Sequence, residues 1–165
     1  KHGSGNAGAT NVLRTLGAKA GLLAFAGDAL KGVFAVVLGK LIGHDDGQIA
    51  AGIFVVIGHN WPMLLGFKGG KGIATTIGVM IAINPYIVAA IVPIGLIIIF
   101  ITKYVSLASI IGMGIFPITM LMTKQPGKLV LFSFLLSAMA IYRHKSNLSK
   151  LIAGTEAKIG DKVER

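Results

Sequence analysis

A chain of 165 residues with 54% hydrophobic and only 13% charged content, at a mean hydropathy of +0.79, has too little polar surface for a water-soluble domain and reads as an integral membrane protein. Its formal net charge of +10 suits anionic lipid and phosphorylated small molecules. Nucleic acid is excluded as a partner, because the basic residues are scattered between apolar runs with no continuous basic helix or aromatic platform. The lack of cysteine excludes disulfides, thiolate metal sites and a cysteine nucleophile, and the scattered His2, His44, His59 and His144 offer no metal site.

The first block, Gly3-Ser4-Gly5-Asn6-Ala7-Gly8-Ala9-Thr10-Asn11, is polar. Gly3-x-Gly5-x-x-Gly8 matches a dinucleotide fingerprint by letter, but no strand precedes it and no βαβ unit follows, so it carries no nucleotide reading. Ser4, Asn6, Thr10, Asn11 and Arg14 offer hydroxyl, amide and guanidinium groups, and the i, i+4 spacing of Thr10 and Arg14 would align them on one helical face. Arginine holds phosphate with a planar fork. The competing reading is an N-capping cluster with Arg14 reaching for the interface.

Apolar runs then predict helices at about residues 16–42, 48–61, 72–84, 86–102, 106–122 and 128–142, an all-α polytopic transmembrane bundle. The second and third runs fall short of a full crossing and are expected to be tilted, broken or partly inserted. Inside the first run Asp28 and Lys31 stand one turn apart, where either charge alone would be costly; they are expected to pair. His59, with Trp61 and Pro62, reads as an interfacial helix end.

Between the second and third runs lies Gly66-Phe67-Lys68-Gly69-Gly70-Lys71-Gly72-Ile73-Ala74-Thr75. Glycines let an anion approach backbone N–H groups, the lysines add charge, and a helix starting near Ile73 would point its positive end at the same spot. The block reads as a phosphate cradle; a flexible turn meeting lipid headgroups would not need four glycines. It is no Walker loop, since only three residues separate Gly66 from Gly70 and Gly72 stands where Ser or Thr is required.

Toward the C-terminus, Ser106 is expected to cap a helix and Ser109 to point inward. Tyr142-Arg143-His144-Lys145-Ser146-Asn147 ends the last run. A continuing helix would place His144 and Asn147, spaced i, i+3, on one face, to handle a proton or a phosphate, or else to form a basic juxtamembrane anchor. If every run crosses, twelve lysines and arginines (Lys1, Arg14, Lys19, Lys68, Lys71, Lys103, Arg143, Lys145, Lys150, Lys158, Lys162, Arg165) share one face and only Lys40, Lys124 and Lys128 the other. The positive-inside rule puts the twelve, and all three polar blocks, in the cytoplasm.

Taken together, Ser4-Gly5-Asn6-x-Gly8-Ala9-Thr10-Asn11-x-x-Arg14, Gly58-His59-x-x-Pro62 through Phe67-Lys68-Gly69-Gly70-Lys71-Gly72, and Tyr142-Arg143-His144-x-x-Asn147 followed by Gly154-Thr155-Glu156-x-Lys158 resemble, in order and over almost the whole chain, the bacterial acyl-phosphate-dependent glycerol-3-phosphate acyltransferases, the PlsY family. That family has seven transmembrane helices against six here, so the resemblance implies a single acyltransferase domain over 1–165 that lacks the helix before the first motif. It implies transfer of a fatty acyl group from acyl phosphate to the 1-hydroxyl of glycerol 3-phosphate, giving lysophosphatidic acid and phosphate, at the cytoplasmic face of the bacterial inner membrane. No metal, nucleotide or other cofactor is expected. The His-x4-Asp motif of the commoner glycerolipid acyltransferases is absent, as Ala7, Ile49, Leu64 and Ser149 stand five residues after the four histidines.

Carried over residue by residue, the resemblance implies catalytic roles for Ser4, Arg14, His144 and Asn147, with Thr10 and Asn11 beside the substrate. Lys68, Gly69, Gly70, Lys71 and Gly72 would hold the phosphate of glycerol 3-phosphate; Ser109 is a weaker addition and Glu156 a structural support. The general base is open between His144 and the donor phosphate. A carrier or flippase for a phosphorylated metabolite is the alternative, but it would need polar access from both faces, whereas the motifs cluster on one.

Overall fold

Gly39 and Gly47 decide the shape of the first half of the chain. In the computed structural model, which describes residues 8–161, a Cβ on Gly39 would collide with the carbonyl of Gly47, and one on Gly47 with the carbonyl of Gly39. Backbones so close in space and near in sequence require a reversal between them. It lies at Gly43 (φ −131°, ψ 22°) and His44 (φ 51°, ψ −135°), the two non-helical residues inside α2 (Ala18–Asn60). The long helix is thus a hairpin of two arms, 18–42 and 45–60, matching the first two predicted runs. Close approach of small residues is how membrane helices gain packing contacts where lipid is as apolar as the partner.

The described residues fall into two units, one holding the chain up to Ile83 and from Gly160 onward, the other Asn84–Ile159. In the first unit, α1 (Ala9–Leu16) packs on the start of α2, where Gly21 leaves no space for a side chain beside Leu13. The same device seats α3 (Ile73–Ile83) on the first arm of α2: Gly32 faces the backbone of Thr75 and Val79, and Gly78 faces Ala29. At 11 residues α3 rises about 16 Å, roughly half the hydrocarbon thickness, so by length it falls short of a full crossing, as its run does in the sequence.

The second unit is a run of α4 (Pro85–Thr102), α5 (Val105–Met122) and α6 (Gly127–Arg143), followed by the short α7 (Lys145–Ile152). Asn84 starts α4 by accepting a hydrogen bond from the Ile87 N–H at 3.4 Å and donates to Gln125 Oε1 at 3.1 Å, joining the start of α4 to the α5–α6 turn. Ser137 of α6 donates across to the Met113 carbonyl of α5 at 2.6 Å. Phe116 and Met120 of α5 and Phe132 and Leu136 of α6 are buried. Among the described residues three stretches are apolar and long enough to cross a bilayer, Ala18–Leu65, Pro85–Thr102 and Val105–Met122. All six predicted runs are helical; α1 and α7 are additional short helices, with too few apolar residues to register as runs.

Candidate active site

The glycine block is shaped by what surrounds it. After α2, a single 3₁₀ turn, Met63–Leu65, and two left-handed residues, Gly66 (φ 59°) and Phe67 (φ 63°), turn the chain back. Gly69 then lies against the His59 carbonyl and the Pro62 ring, Gly70 against the His59 imidazole, and Gly72 (φ 79°) against the Asn60 carboxamide, each leaving no room for a Cβ. The Gly70 N–H donates to the His59 carbonyl at 3.1 Å. Gly69, Gly70 and Gly72 are buried, Lys71 is half-buried and Lys68 exposed. Helix α3 begins at Ile73, as predicted, so its N-terminal positive end adjoins the loop.

Helix α1 starts beside this loop, with a Cβ on Gly8 placed 3.9 Å from the Gly70 Cα. Thr10, Asn11 and Arg14 are half-buried on it, and Thr10 and Arg14 are one turn apart on the same face, as their spacing predicted. Thr15 donates to the Asn11 carbonyl at 2.9 Å. Ser4 lies outside the described residues.

Behind the loop is a cluster of which sequence spacing predicts one pair. Lys31 Nζ is 2.5 Å from Asp28 Oδ1, the expected pair. It is also 2.6 Å from Nδ1 of His59, which itself lies 3.2 Å from Asp28 Oδ1. One ring nitrogen does not accept from Lys31 and donate to Asp28 at once. The ammonium only donates, so the shorter contact makes Nδ1 an acceptor and leaves the ring proton on Nε2. His59 is therefore more than an interfacial helix end. Its neighbour Asn60, fully buried, has neither side-chain polar atom hydrogen-bonded among the described residues, and the same holds for Thr75 Oγ1.

In the second unit the polar chemistry gathers at the end formed by the α4–α5 turn, the α6–α7 junction and the returning tail, where the Ile159 N–H donates to the Lys103 carbonyl at 2.8 Å. Glu156 Oε1 accepts from Ser106 Oγ and from Asn147 Nδ2, both at 2.7 Å. Ser106 is therefore no N-cap: Tyr104 occupies that position, and the buried carboxylate is the stronger acceptor for the hydroxyl. His144 is 3% exposed, and its Nδ1 lies 2.7 Å from the Ala140 carbonyl. A carbonyl accepts only, so Nδ1 carries a proton, and Nε2 is the ring atom that gains or loses the other. The helix does not run through His144 as expected. It ends at Arg143 and restarts at Lys145, with His144 (φ −95°, ψ 5°) at the break. Ser109 is half-buried and donates to Val105 of its own helix at 2.9 Å.

A helical membrane protein that keeps a lysine-bearing glycine loop at one helix start, and a histidine of fixed tautomer at another helix end, has the makings of a group-transfer enzyme for a phosphorylated substrate. The model of the glycerol-3-phosphate acyltransferases matches residues 1–154. The glycerol-3-phosphate acyltransferase of Clostridioides difficile (strain 630) is 50% identical over 169 residues, covering 98% of this chain and 82% of the relative. That of Alkaliphilus metalliredigens (strain QYMF) is 52% identical over 163 residues, covering 99% and 83%. The crystal structure of PlsY (YgiH), an integral membrane glycerol 3-phosphate acyltransferase, superposes in its glycerol 3-phosphate form with a TM-score of 0.91 at 37% identity, over 96% of this chain and 80% of that one. Its lysophosphatidic acid form gives 0.89 at 36% identity, over 95% and 81%. The chain belongs to the glycerol-3-phosphate acyltransferase family and is an integral membrane enzyme of that class.

Proposed function

We propose that the protein takes its acyl group from an acyl phosphate and passes it to the 1-hydroxyl of glycerol 3-phosphate, releasing lysophosphatidic acid and inorganic phosphate. The observation that carries this reading is the glycine loop, in which three buried glycines and Lys71 adjoin the N-terminus of α3, with α1 and Arg14 in the same unit. Such an arrangement receives a dianionic phosphate through backbone N–H groups and charge. The glycerol 3-phosphate form of the PlsY relative supports the acceptor.

In the reaction the acceptor oxygen attacks the acyl carbonyl carbon, the bond from that carbon to the phosphate oxygen breaks, and phosphate leaves with the electron pair. Because the donor is already activated, holding the two substrates in line and neutralising the phosphates supplies most of what the step needs. With Nδ1 of His144 held by the Ala140 carbonyl, Nε2 is the ring atom that would take the hydroxyl proton when the ring is neutral, or donate to a phosphate oxygen when the ring is protonated. Asn147 is oriented by Glu156. Arg14 offers a planar fork to phosphate, with Thr10 and Asn11 beside it. The charge asymmetry of the loops supports an active site at the cytoplasmic face of a bacterial inner membrane.

Two measurements test this. Purified protein given acyl phosphate and labelled glycerol 3-phosphate is expected to yield lysophosphatidic acid with no added metal. A product that forms only from acyl coenzyme A or acyl carrier protein would refute the donor. For orientation, cysteines replacing the exposed Asp46 and Thr123 are expected to react with an impermeant thiol reagent from outside the cell, and one replacing Lys103 is not. The reverse pattern would refute the cytoplasmic face.

A further inference from the structure

Three ionisable groups, Asp28, Lys31 and His59, meet within α2, one pair on the first arm and the histidine near the end of the second. Any of them alone in a membrane-spanning helix is expensive. A pair at i, i+3 already satisfies the carboxylate and the ammonium, so burial alone does not explain why the cluster extends to His59. Its position does. His59 touches the glycine loop twice: its carbonyl accepts the Gly70 N–H at 3.1 Å, and its ring occupies the space in which a Gly70 side chain would stand. Lys31 donates to Nδ1, so the Nε2–H is the ring atom turned toward Gly70.

We propose that Asp28 and Lys31 are positioning residues for the acceptor site, acting through His59, whose ring they hold beneath Gly70 in the tautomer that presents Nε2–H to the loop. This rests on the reading of Lys68–Gly72 as the acceptor's phosphate cradle. Asp28 holds the Lys31 ammonium, Lys31 holds the imidazole, and the imidazole and its own carbonyl hold the loop. The loop N–H groups and the Lys71 ammonium keep the shape an anion needs only while that floor stays in place. The arrangement parallels the outer groups that orient a metal-bound histidine without touching the metal's other ligands.

The test is steady-state kinetics on the purified full chain in lipid, varying each substrate in turn, with the melting temperature measured alongside. Lys31→Met and Asp28→Asn are expected to raise the KM for glycerol 3-phosphate by about ten- to a hundredfold, as a misplaced cradle would, while the KM for acyl phosphate stays within about twofold. Lys31→Arg, which keeps a cation able to bridge Asp28 and His59, is expected to restore most of the acceptor affinity. A purely structural role would lower the melting temperature or the yield and leave the acceptor KM of the folded fraction unchanged; that result overturns the proposal. So does an equal rise in both KM values. Should Asp28→Asn not fold, Lys31→Met and its arginine counterpart decide the matter between them. Lys71→Ala is the control for the underlying reading. If it raises the acceptor KM while Lys31→Met does not, the cradle stands and the positioning role falls; if Lys71→Ala leaves the acceptor KM unchanged, the cradle itself is refuted.

Discussion

The glycine loop and the α6–α7 junction solve the same problem, a fixed polar site at the end of apolar helices, by opposite means. At the loop the functional groups are backbone, and beyond the one hydrogen bond from the Gly70 N–H to the His59 carbonyl they are held by exclusion: at Gly69, Gly70 and Gly72 the neighbouring His59, Pro62 and Asn60 fill the side-chain volume. At the junction the groups are side chains, and they are held by attraction: Glu156 accepts from Ser106 and Asn147, and Ala140 accepts from His144. A site held by exclusion is damaged by adding atoms. A site held by hydrogen bonds is damaged by removing them.

Substitutions can separate the two designs. The largest loss is expected for His144→Gln, where turnover should fall by about 10²- to 10⁴-fold if Nε2 takes the hydroxyl proton. A loss confined to the acceptor KM would instead assign His144 to phosphate binding, and kinetics at varied glycerol 3-phosphate distinguish the two. Next comes Gly70→Ala, which adds a single methyl group into the His59 ring. Its acceptor kcat/KM should drop by about 10²-fold, and near wild-type kinetics would show that the loop yields easily. Glu156→Ala removes the acceptor shared by the buried Ser106 hydroxyl and the half-buried Asn147 amide, at about 1–3 kcal/mol for a buried group that loses its partner. It should lower both the melting temperature and turnover, and an unchanged melting curve would show that other partners replace it. The smallest effect belongs to Ser109→Ala, because that hydroxyl donates to its own helix. Turnover should stay within about twofold; a larger fall would support Ser109 as a substrate contact.

The same contrast explains what could be read from the sequence. The loop was legible because its chemistry is local: four glycines, two lysines and a helix start at Ile73 are consecutive residues. The face shared by Thr10 and Arg14 and the pairing of Asp28 with Lys31 were legible for the same reason, since helical spacing alone brings them together. Contacts across the fold were not. Nothing near Ser106 announces a carboxylate 50 residues away, so the local rule of N-capping points to the wrong partner. His59 looked like an interfacial residue because its partners lie on the other arm of the hairpin. The only pointer to it was its place in the Gly58-His59-x-x-Pro62 motif. The break at His144 was hidden by spacing that a continuous helix would also satisfy.

The reversal at Gly43–His44 also imposes an order on biosynthesis. The chain emerges from the ribosome N-terminus first, so the first arm is complete while His59, 28 residues beyond Lys31, has yet to be made. During that interval Asp28 and Lys31 have only each other, and the charge carried into the bilayer by this pair sums to zero, which eases an entry that either residue alone would oppose by about 2.5 to 3.5 kcal/mol. Only when the second arm folds back, and Gly39 meets Gly47, does the imidazole arrive to draw Lys31 into a second contact. The ion pair serves first as a passport for the nascent helix and afterwards as a fixture of the finished enzyme.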